Sequence, residues 1–430
     1  MQTSPVFSET AYTKTRLPNG LRLITAPMPQ ARSVAISVYV GAGSRYETQA
    51  EAGISHFIEH LCFKGTAKRP SAQLISEAID GVGGILNAAT DREYTVYYAK
   101  VARPHLALAL DVLGDLVQAP LFDPQELEKE RKVVLEELAA VQDAPGQQVD
   151  LLLDEMLWPG QPLGWDVAGT NESVAGLTRE MVLNYAARQY VPNNMVVAVA
   201  GNVDEAEILD LLDGTLGSMQ TGAPSAWFPA LNGQTEPRCS LFYKRTEQTH
   251  IALGLPGLPL GHPDRHALDL LSVLFGESMS SRLFLELREH QGLCYDVNSY
   301  VTHFLDTGSF GVYAAVDPMN GAKAVGALVS ELRRLTEGVP EEELHKAREL
   351  AKGRLLLRME DTRAVSGWLG GQEILTGEIL SPEEVVARLD AVTPTDLERV
   401  LACILRREKL NLAIVGPHRS ERRFLPLLNL

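Results

Sequence analysis

The heptapeptide MVVAVAG at residues 195–201 recurs as LNLAIVG at residues 410–416, 215 positions further along a chain of 430 residues. Both are apolar, contain β-branched residues and end in glycine, which is typical of a buried strand followed by a turn. Each follows a segment with helical features, which begins at Thr178 in the first case and at Thr393 in the second, again 215 positions apart. A helix followed by a strand therefore occurs twice in this chain.

Two further pairs follow the same order. The apolar run around Ile36 has a counterpart around Ile251 at an offset of 215, and the helical segment 126–137 resembles the segment 343–354 at an offset of 217. Four matches in order at nearly one offset predict an internal duplication. Each copy mixes strand-like alternation with amphipathic helices, so the predicted fold class is α+β, with one domain used twice.

The segment 217–238 is rich in Gly, Pro, Ser and Thr and follows no hydrophobic period. Such composition is typical of a loop or linker. We therefore expect an N-terminal domain at 1–216, a linker at 217–238 and a homologous C-terminal domain at 239–430.

Charge and cysteine content narrow the function class. The chain has 39 Lys and Arg against 55 Asp and Glu, a formal charge of −16, which disfavours nucleic acid and anionic lipid as partners. Its four cysteines are widely spaced without a CxxC pair, which predicts neither a disulfide framework nor a cysteine zinc site and fits a reducing compartment. The N-terminal sequence lacks signal and transit patterns, and no apolar run approaches the ~20 residues that span a bilayer. We expect a cytoplasmic protein.

The segment AGISHFIEHLCFKG contains His56, Glu59 and His60 in the spacing HxxEH. Positions i and i+4 lie on one face of a helix, so both imidazoles can reach one metal ion, and Glu59 lies close to that face. The neighbouring residues are apolar, which makes this polar trio costly to bury without partners. The alternative is a pair of histidines on a solvated helix face.

This pattern resembles the inverted zinc motif of the inverzincins, the family of pitrilysin and mitochondrial processing peptidase. In that family the third ligand is a glutamate about 77 residues after the second histidine, in an ExxxxxxE helix. Glu130 and Glu137 have this spacing, and Glu137 lies 77 positions after His60. The resemblance implies one Zn²⁺ per chain with three protein ligands: His56, His60 and Glu137. Glu136 is the alternative ligand, and Glu130 would orient a ligating histidine unless it is a solvated helix charge.

Three protein ligands leave a fourth position for water, the arrangement of a catalytic zinc site. Glu59 is then the expected general base, which takes a proton from the water and passes it on. The resemblance implies a zinc metalloendopeptidase acting on peptides or unfolded segments. Two alternatives remain: a non-catalytic scaffold like the respiratory-complex core subunits of this fold, and a peptidase dedicated to maturation of a peptide-derived cofactor.

The segment GGILNAATDREYTVYYAKV resembles the family's substrate-binding strand. The resemblance implies that Asn87 and the main chain of Ala88 bind an extended substrate by strand addition. A plain sheet strand is the alternative reading.

In the second half, SSRLFLELREHQGLCY resembles another family signature. It implies that Arg288 and Tyr295 hold the substrate backbone and stabilise the developing oxyanion. Ordinary surface side chains are the alternative, since Gly292 is expected to end the helix between them.

The resemblance also implies two roll-like domains per chain and two chains around a chamber, as a homodimer or as a heterodimer with a related subunit. An offset of 215 moves His56, Glu59 and His60 to apolar positions, and an offset of 217 moves Glu137 to a basic one: Leu271, Leu274, Phe275 and Arg354. The C-terminal domain is therefore expected to lack zinc and to supply the Arg288 and Tyr295 wall.

Overall fold

The computed structural model describes residues 12–430. Within this range the strands are β1 (Thr13–Arg16), β2 (Arg22–Pro27), β3 (Ser33–Val40), β4 (Ile85–Thr90), β5 (Thr95–Ala102), β6 (Met195–Gly201), β7 (Arg238–Tyr243), β8 (Thr249–Pro256), β9 (Cys294–His303), β10 (Gly308–Val316) and β11 (Asn411–Gly416). The helices are α1 (Ile54–Cys62), α2 (Ala72–Asp80), α3 (Leu106–Gln118), α4 (Pro124–Asp143), α5 (Pro145–Leu157), α6 (Asn171–Gly176), α7 (Arg179–Gln189), α8 (Glu205–Asp213), α9 (Arg265–Gly276), α10 (Gly321–Leu335), α11 (Glu341–Arg358), α12 (Thr362–Thr376), α13 (Pro382–Ala391) and α14 (Pro394–Ile404). Phe284–His290 forms a π-helix.

The strands form two mixed sheets with matching topology. The six-stranded sheet has the order β1-β2-β6-β3-β5-β4, and the five-stranded sheet has the order β7-β11-β8-β10-β9. In each sheet one neighbouring pair is parallel, β2 with β6 and β7 with β11, and the other pairs are antiparallel. Omitting β1, each strand of one sheet has a counterpart in the other. The predicted α+β fold class with two related domains is confirmed.

The strand pairing shows the duplication at the level of single residues. Ile36 lies opposite Val199 in the first sheet, and Ile251 lies opposite Ile414 in the second. Both partners differ by the same 215 positions that the sequence repeat predicted. The two sheets therefore share one pattern of strand pairing.

The chain divides into two compact units. The first unit comprises the residues up to Leu138, Asp166–Phe228 and Leu356–Glu383, and the second comprises Ala139–Trp165, Pro229–Leu355 and Glu384–Leu430. Each unit thus contains a segment from the other half of the sequence, α12 in the first unit and α5 in the second. No pattern in the sequence predicted this exchange of helices, and the domain limits around 217–238 stay a prediction.

The exchanged helices cover equivalent faces of the two sheets. In the first unit, Val365 and Leu369 of α12 pack with buried side chains of the central strands: Ile24, Tyr39, Val196 and Ala198. In the second unit, Val149 and Leu153 of α5 pack against Ala252, Ala413 and Val415. Fully burying each large aliphatic side chain stabilises the fold by about 1.5–3 kcal/mol, so both helices belong to their unit's core.

Each exchanged helix approaches its sheet closely at a glycine. This glycine belongs to the helix in the first unit and to the strand in the second. A Cβ added at Gly370 of α12 would lie 2.5 Å from the ring of Tyr39 on β3. A Cβ added at Gly254 of β8 would lie 2.9 Å from the side chain of Leu153 on α5. In the first unit the strand carries the large residue, whereas in the second unit the helix carries it.

Two sequence expectations concern covalent and membrane structure. All four cysteines are free thiols. In the described part of the chain, every helix is too short or too polar to cross a bilayer.

Candidate metal centre

Helix α1, which carries the HxxEH motif, has a buried N-terminus that is held by hydrogen bonds. The carboxylate of Glu47 accepts hydrogen bonds from the backbone N–H groups of Gly53 (2.7 Å) and Ser55 (2.9 Å). The Ser55 hydroxyl shares a 2.7 Å hydrogen bond with the hydroxyl of Tyr185. Burial raises the pKa of Glu47 to about 7 even though these hydrogen bonds lower it. The first turn of α1 is therefore fixed by partners from outside the helix.

One face of α1 is apolar and the other carries the motif. Ile54, Phe57, Ile58 and Leu61 are buried in the core of the first unit. The opposite face directs His56, Glu59 and His60 toward α4 and β4. His56, Glu59 and His60 thus lie on one helix, as predicted, and the apolar face of this helix anchors it to the core.

The two histidines meet Glu137 of α4. The Nε2 atoms of His56 and His60 lie 3.2 Å apart, and the Glu137 Oε2 atom lies 3.8 Å and 3.6 Å from them, respectively. Ligand atoms about 2.1 Å from one zinc ion at tetrahedral angles stand about 3.4 Å apart. Three atoms with this spacing, two imidazole nitrogens and a carboxylate oxygen, fit one zinc ion. Among the described residues this is the cluster of three whose ligating atoms all lie within 4.8 Å of one another.

The surroundings also favour the ligating forms of the imidazoles. Burial lowers the pKa of His56 to about 4, with a smaller contribution from His60, so its neutral form prevails at neutral pH. The buried Nδ1 atom of His56 has no hydrogen-bond partner. The Nδ1–H group of His60 donates a 3.2 Å hydrogen bond to Glu130 Oε2, which turns the Nε2 atom of His60 toward the cluster. The predicted orienting role of Glu130 has this contact as its support.

Sequence reasoning missed a cation behind Glu130. The Lys64 ammonium lies 2.8 Å from the second oxygen of this buried carboxylate. Lys64 pairs with one oxygen of Glu130 and leaves the other oxygen to face His60. Lys64 lies just beyond the end of α1, so helical periodicity did not predict its role.

Glu136 of α4, the alternative ligand, is exposed and does not belong to the cluster.

Glu59 lies beside the cluster without joining it. Its Oε2 atom accepts a 2.6 Å hydrogen bond from the Thr90 hydroxyl at the end of β4. Burial raises the pKa of Glu59, whereas the hydrogen bond from Thr90 and the nearby His60 lower it. A carboxyl group with one oriented oxygen and a raised pKa is suited to accept and return a proton.

Strand β4 is an edge of its sheet, since it pairs with β5 alone among the described strands. Asn87 is exposed on this edge, and its Oδ1 atom accepts a 2.8 Å hydrogen bond from the N–H of Ala88. An edge with free backbone groups next to α1 is what strand addition of a peptide requires.

Arg288 and Tyr295 come together in the second unit. The Arg288 guanidinium donates a 2.9 Å hydrogen bond to the backbone oxygen of Tyr295 and lies 4.8 Å from the centre of its ring. The phenol is 75% exposed and so is available for a ligand. Gly292, with φ +58°, follows the π-helix and turns the chain back so that the two side chains meet.

The second unit has no counterpart of the trio. Leu271, Leu274 and Phe275 of α9 are buried in its core. Arg354 of α11, the counterpart of Glu137, pairs with Glu277 at 3.0 Å. An ion pair and apolar packing occupy the positions that hold metal-ligating groups in the first unit.

Comparison with known proteins places the fold and site in one class. Residues 22–171 match the model of the insulinase family, peptidase family M16, and residues 176–350 match that of the peptidase M16 inactive domain. The chain belongs to peptidase family M16, as its resemblance to the pitrilysin-like inverzincins predicted.

Its relatives include proteins named as zinc proteases. An uncharacterized zinc protease of Streptomyces coelicolor is 38% identical over 411 residues, which cover 94% of this chain and 89% of the relative. One from Bacillus subtilis is 37% identical over 404 residues, covering 93% and 97%. Among solved structures, a protease from Helicobacter pylori superimposes with a TM-score of 0.87 at 23% identity, covering 95% of this chain and 100% of that one. A chain of complex III2 from Candida albicans gives 0.83 at 21%, covering 97% and 100%; both likenesses concern the fold.

Proposed function

We propose that the chain is a zinc metalloendopeptidase that hydrolyses peptides or unfolded segments, with Glu59 as its general base. The observation that carries the proposal is the cluster of His56, His60 and Glu137 at tetrahedral spacing, with a proton-exchanging carboxyl group beside it rather than in it. The names of the relatives agree with a zinc-dependent protease.

Zinc bound by these three side chains would polarise a peptide carbonyl and lower the pKa of a bound water toward ~7. Glu59 takes the proton of the attacking water on the oxygen that Thr90 leaves free and returns it to the leaving amine. Burial raises the pKa of this carboxyl above its ordinary value, which favours its acceptance of the proton. Glu130 and Lys64 hold the imidazole of His60 in one orientation throughout.

The substrate is proposed to lie along β4. Its backbone pairs with the outer edge of this strand at Ala88, and Asn87 contacts it from the side. Arg288 and Tyr295 are proposed to hold the substrate backbone and stabilise the oxyanion.

The assembly and its compartment belong to the same proposal. A homodimer is proposed, with a heterodimer of related subunits as the other outcome, and the cytoplasm is the proposed location. Sedimentation of the purified chain alone separates the two: a stable dimer supports the first, whereas a monomer that lacks activity until a related subunit is added supports the second.

The test is cleavage of a mixed library of unstructured peptides, read by mass spectrometry with and without a chelator. The Glu59→Gln variant should keep its zinc and lose between about 10² and 10⁴ in kcat, because the proton acceptor is gone while the ligands remain. Glu136→Gln, which changes an exposed carboxyl on α4 outside the cluster, is the matched control and should cleave like the wild type. Full activity in Glu59→Gln would overturn the mechanism.

A non-catalytic scaffold is the alternative function, and it makes the opposite prediction. A zinc-loaded wild-type chain that cleaves nothing in the library, in dimeric form, would favour it. A peptidase dedicated to maturation of a peptide-derived cofactor would instead cleave a narrow set of sequences. The complete ligand set with its oriented Glu59 favours the peptidase.

A further inference from the structure

The sheet of the first unit has an open shelf on the face that α12 covers only in part. Helix α12 packs over β2, β6 and β3, and beyond it a cavity of about 440 Å³ lies over β5 and β4. We call this cavity the outer shelf and define it by six of its lining residues: Tyr39, Ala89, Val96, Tyr98, Arg358 and Arg363. Nothing in the proposed mechanism uses it.

The outer shelf is basic. Arg358 and Arg363 are exposed, and neither guanidinium pairs with a carboxylate of the described residues. The Arg363 guanidinium lies 3.9 Å from the centre of the Tyr98 ring, which holds it flat against the sheet. Asp361, the acid that also lines the cavity, is already engaged by Lys100 at 2.5 Å and by the N–H groups at the start of α12. Two arginines are therefore left to bind an anion.

The outer shelf lies on the face of the sheet opposite to α1. Neighbouring residues of a strand point to opposite faces. Tyr97 of β5 contacts Cys62 of α1 through its hydroxyl at 3.5 Å, whereas the next residue, Tyr98, stacks with Arg363. A peptide added to β4 would direct alternate side chains to the metal cluster and to this shelf.

The outer shelf extends over β4, the edge strand to which a substrate strand would be added. Ala89 of β4 lines the shelf with a small side chain, so it leaves the space above the edge open. A further strand would lie about 4.8 Å beyond β4, next to the strand whose Ala89 side chain lines the same cavity as Arg358 and Arg363. A carboxylate at that place can accept two parallel hydrogen bonds from one guanidinium.

We propose that the outer shelf is a substrate subsite that selects Asp or Glu at a position whose side chain points away from the metal cluster. The proposal rests on the proposed function, since it takes the bound chain on β4 to be the substrate. The formal charge of −16 repels acidic peptides as a whole. A local pair of arginines therefore sets the register of one acidic residue rather than general affinity for acidic chains.

The experiment uses the full-length Glu59→Gln variant, loaded with zinc, so that binding is measured without cleavage. The probes are fluorescent dodecapeptides taken from the cleaved library members, in pairs that differ by Glu or Gln at one position at a time. At one position the Glu peptide should bind about fivefold more tightly, the scale expected for a partly exposed ion pair. Arg363→Gln and Arg358→Gln should each remove most of this difference. Arg363→Glu should reverse it in favour of a Lys peptide.

Arg16→Gln is the matched control, because it removes an exposed arginine from β1 at the opposite edge of the same sheet. It should leave the Glu preference intact. Equal binding of every Glu and Gln pair, or a preference that survives in Arg363→Glu, would overturn the subsite. Peptide cleavage by the wild type is scored separately: if no peptide is cleaved, the dodecapeptides are drawn from the uncleaved library, and the binding comparison still decides the subsite while the peptidase proposal fails.

Discussion

Helix α1 of the first unit and helix α9 of the second occupy equivalent places beside equivalent sheets, but their inner faces differ in chemistry. Glu59 and His60 correspond to Leu274 and Phe275, which are buried among apolar side chains. The scaffold is thus complete without a metal. The polar trio is tolerated in the first unit because α4 supplies carboxylates to it, whereas the counterpart helix α11 supplies Arg354, which pairs with Glu277.

The exchanged helices show a second difference. Tyr39 against Gly370 in the first unit becomes Gly254 against Leu153 in the second, at positions related by the duplication offsets. One small and one large residue meet at each contact, but the large residue changes sides. After a duplication, packing constrains the sum of two facing side chains more tightly than either one.

The two units differ most at the metal cluster, so the largest effect is expected from removing the proposed ligand that α4 contributes. Glu137→Gln takes one of three ligands from the cluster, so zinc affinity should fall by more than the ~100-fold that an outer hydrogen-bond partner can cost. Zinc competition against a chelator of known affinity measures this. The control Glu136→Gln, one residue earlier, should bind zinc like the wild type. If Glu136→Gln loses zinc affinity and Glu137→Gln does not, the alternative ligand Glu136 is the one that binds zinc.

A smaller loss is expected at the residue that orients His60. Glu130→Gln keeps the shape of the side chain but removes the charge facing His60 and Lys64, so zinc affinity should fall about 10- to 100-fold. The same competition assay measures it, with Glu128→Gln on the exposed side of α4 as the control. Unchanged zinc affinity in Glu130→Gln would show that this carboxylate serves the fold alone.

The packing contrast predicts a loss of stability. Gly370→Ala places a methyl group 2.5 Å from the Tyr39 ring and 3.0 Å from Ala198, which should lower the free energy of unfolding by about 1–3 kcal/mol. Gly371→Ala, where the nearest atom is the Tyr39 hydroxyl at 3.8 Å, should be neutral or slightly stabilising because alanine favours helix. Denaturant unfolding followed by helix content compares the two. Equal effects would refute the close approach of α12.

The smallest effect concerns pH and the second unit. Burial lowers the pKa of His303, but the hydrogen bond to Asp269 at 3.0 Å, the charge of Asp269 and the hydrogen bond to the Leu258 carbonyl together raise it above its ordinary value. Burial alone would raise the pKa of Asp269, yet its bonds to His266 and His303 lower it to about 2. The His303 contribution to stability is complete below pH 6.5 and is lost as pH rises through its folded-state pKa, whereas that of Asp269 is present above pH 3.8 and is lost as pH falls toward 2.

His303→Gln should therefore lower the free energy of unfolding at pH 5.5 more than at pH 9. The difference should stay below about 1 kcal/mol, because the Asp269 side chain is 38% exposed. Thermal melts of the zinc-free chain at the two pH values measure it. His290→Gln, an exposed histidine beside Glu286, is the control, and a difference as large in that variant would contradict the role of His303.

Much of the fold and of the metal cluster could be predicted because both leave local or periodic signals. The repeat offset predicted that the strands around Ile36 and Ile251 correspond, and the HxxEH spacing predicted that both histidines lie on one face of a helix. The position of Glu137 came from family spacing and could not have come from composition. These predictions depend on neighbours in sequence or on a fixed interval between motifs.

What could not be predicted depends on partners that are remote in sequence. The pattern of α12 shows that one face is buried but not which sheet buries it, so the helix exchange left no trace in the periodicity. Thr90 and Lys64 act through single hydrogen bonds to Glu59 and Glu130, and such contacts follow from the fold alone. Arg363 meets Tyr98 across more than 260 positions of sequence.

The most direct test of the central claim is the number of zinc ions per chain, counted by native mass spectrometry of the full chain and of two variants. One zinc ion per chain is predicted for the wild type and for Glu59→Gln, and essentially none for the double variant His56→Ala with His60→Ala. Two zinc ions in the wild type, or one retained in the double variant, would contradict a metal centre confined to the first unit.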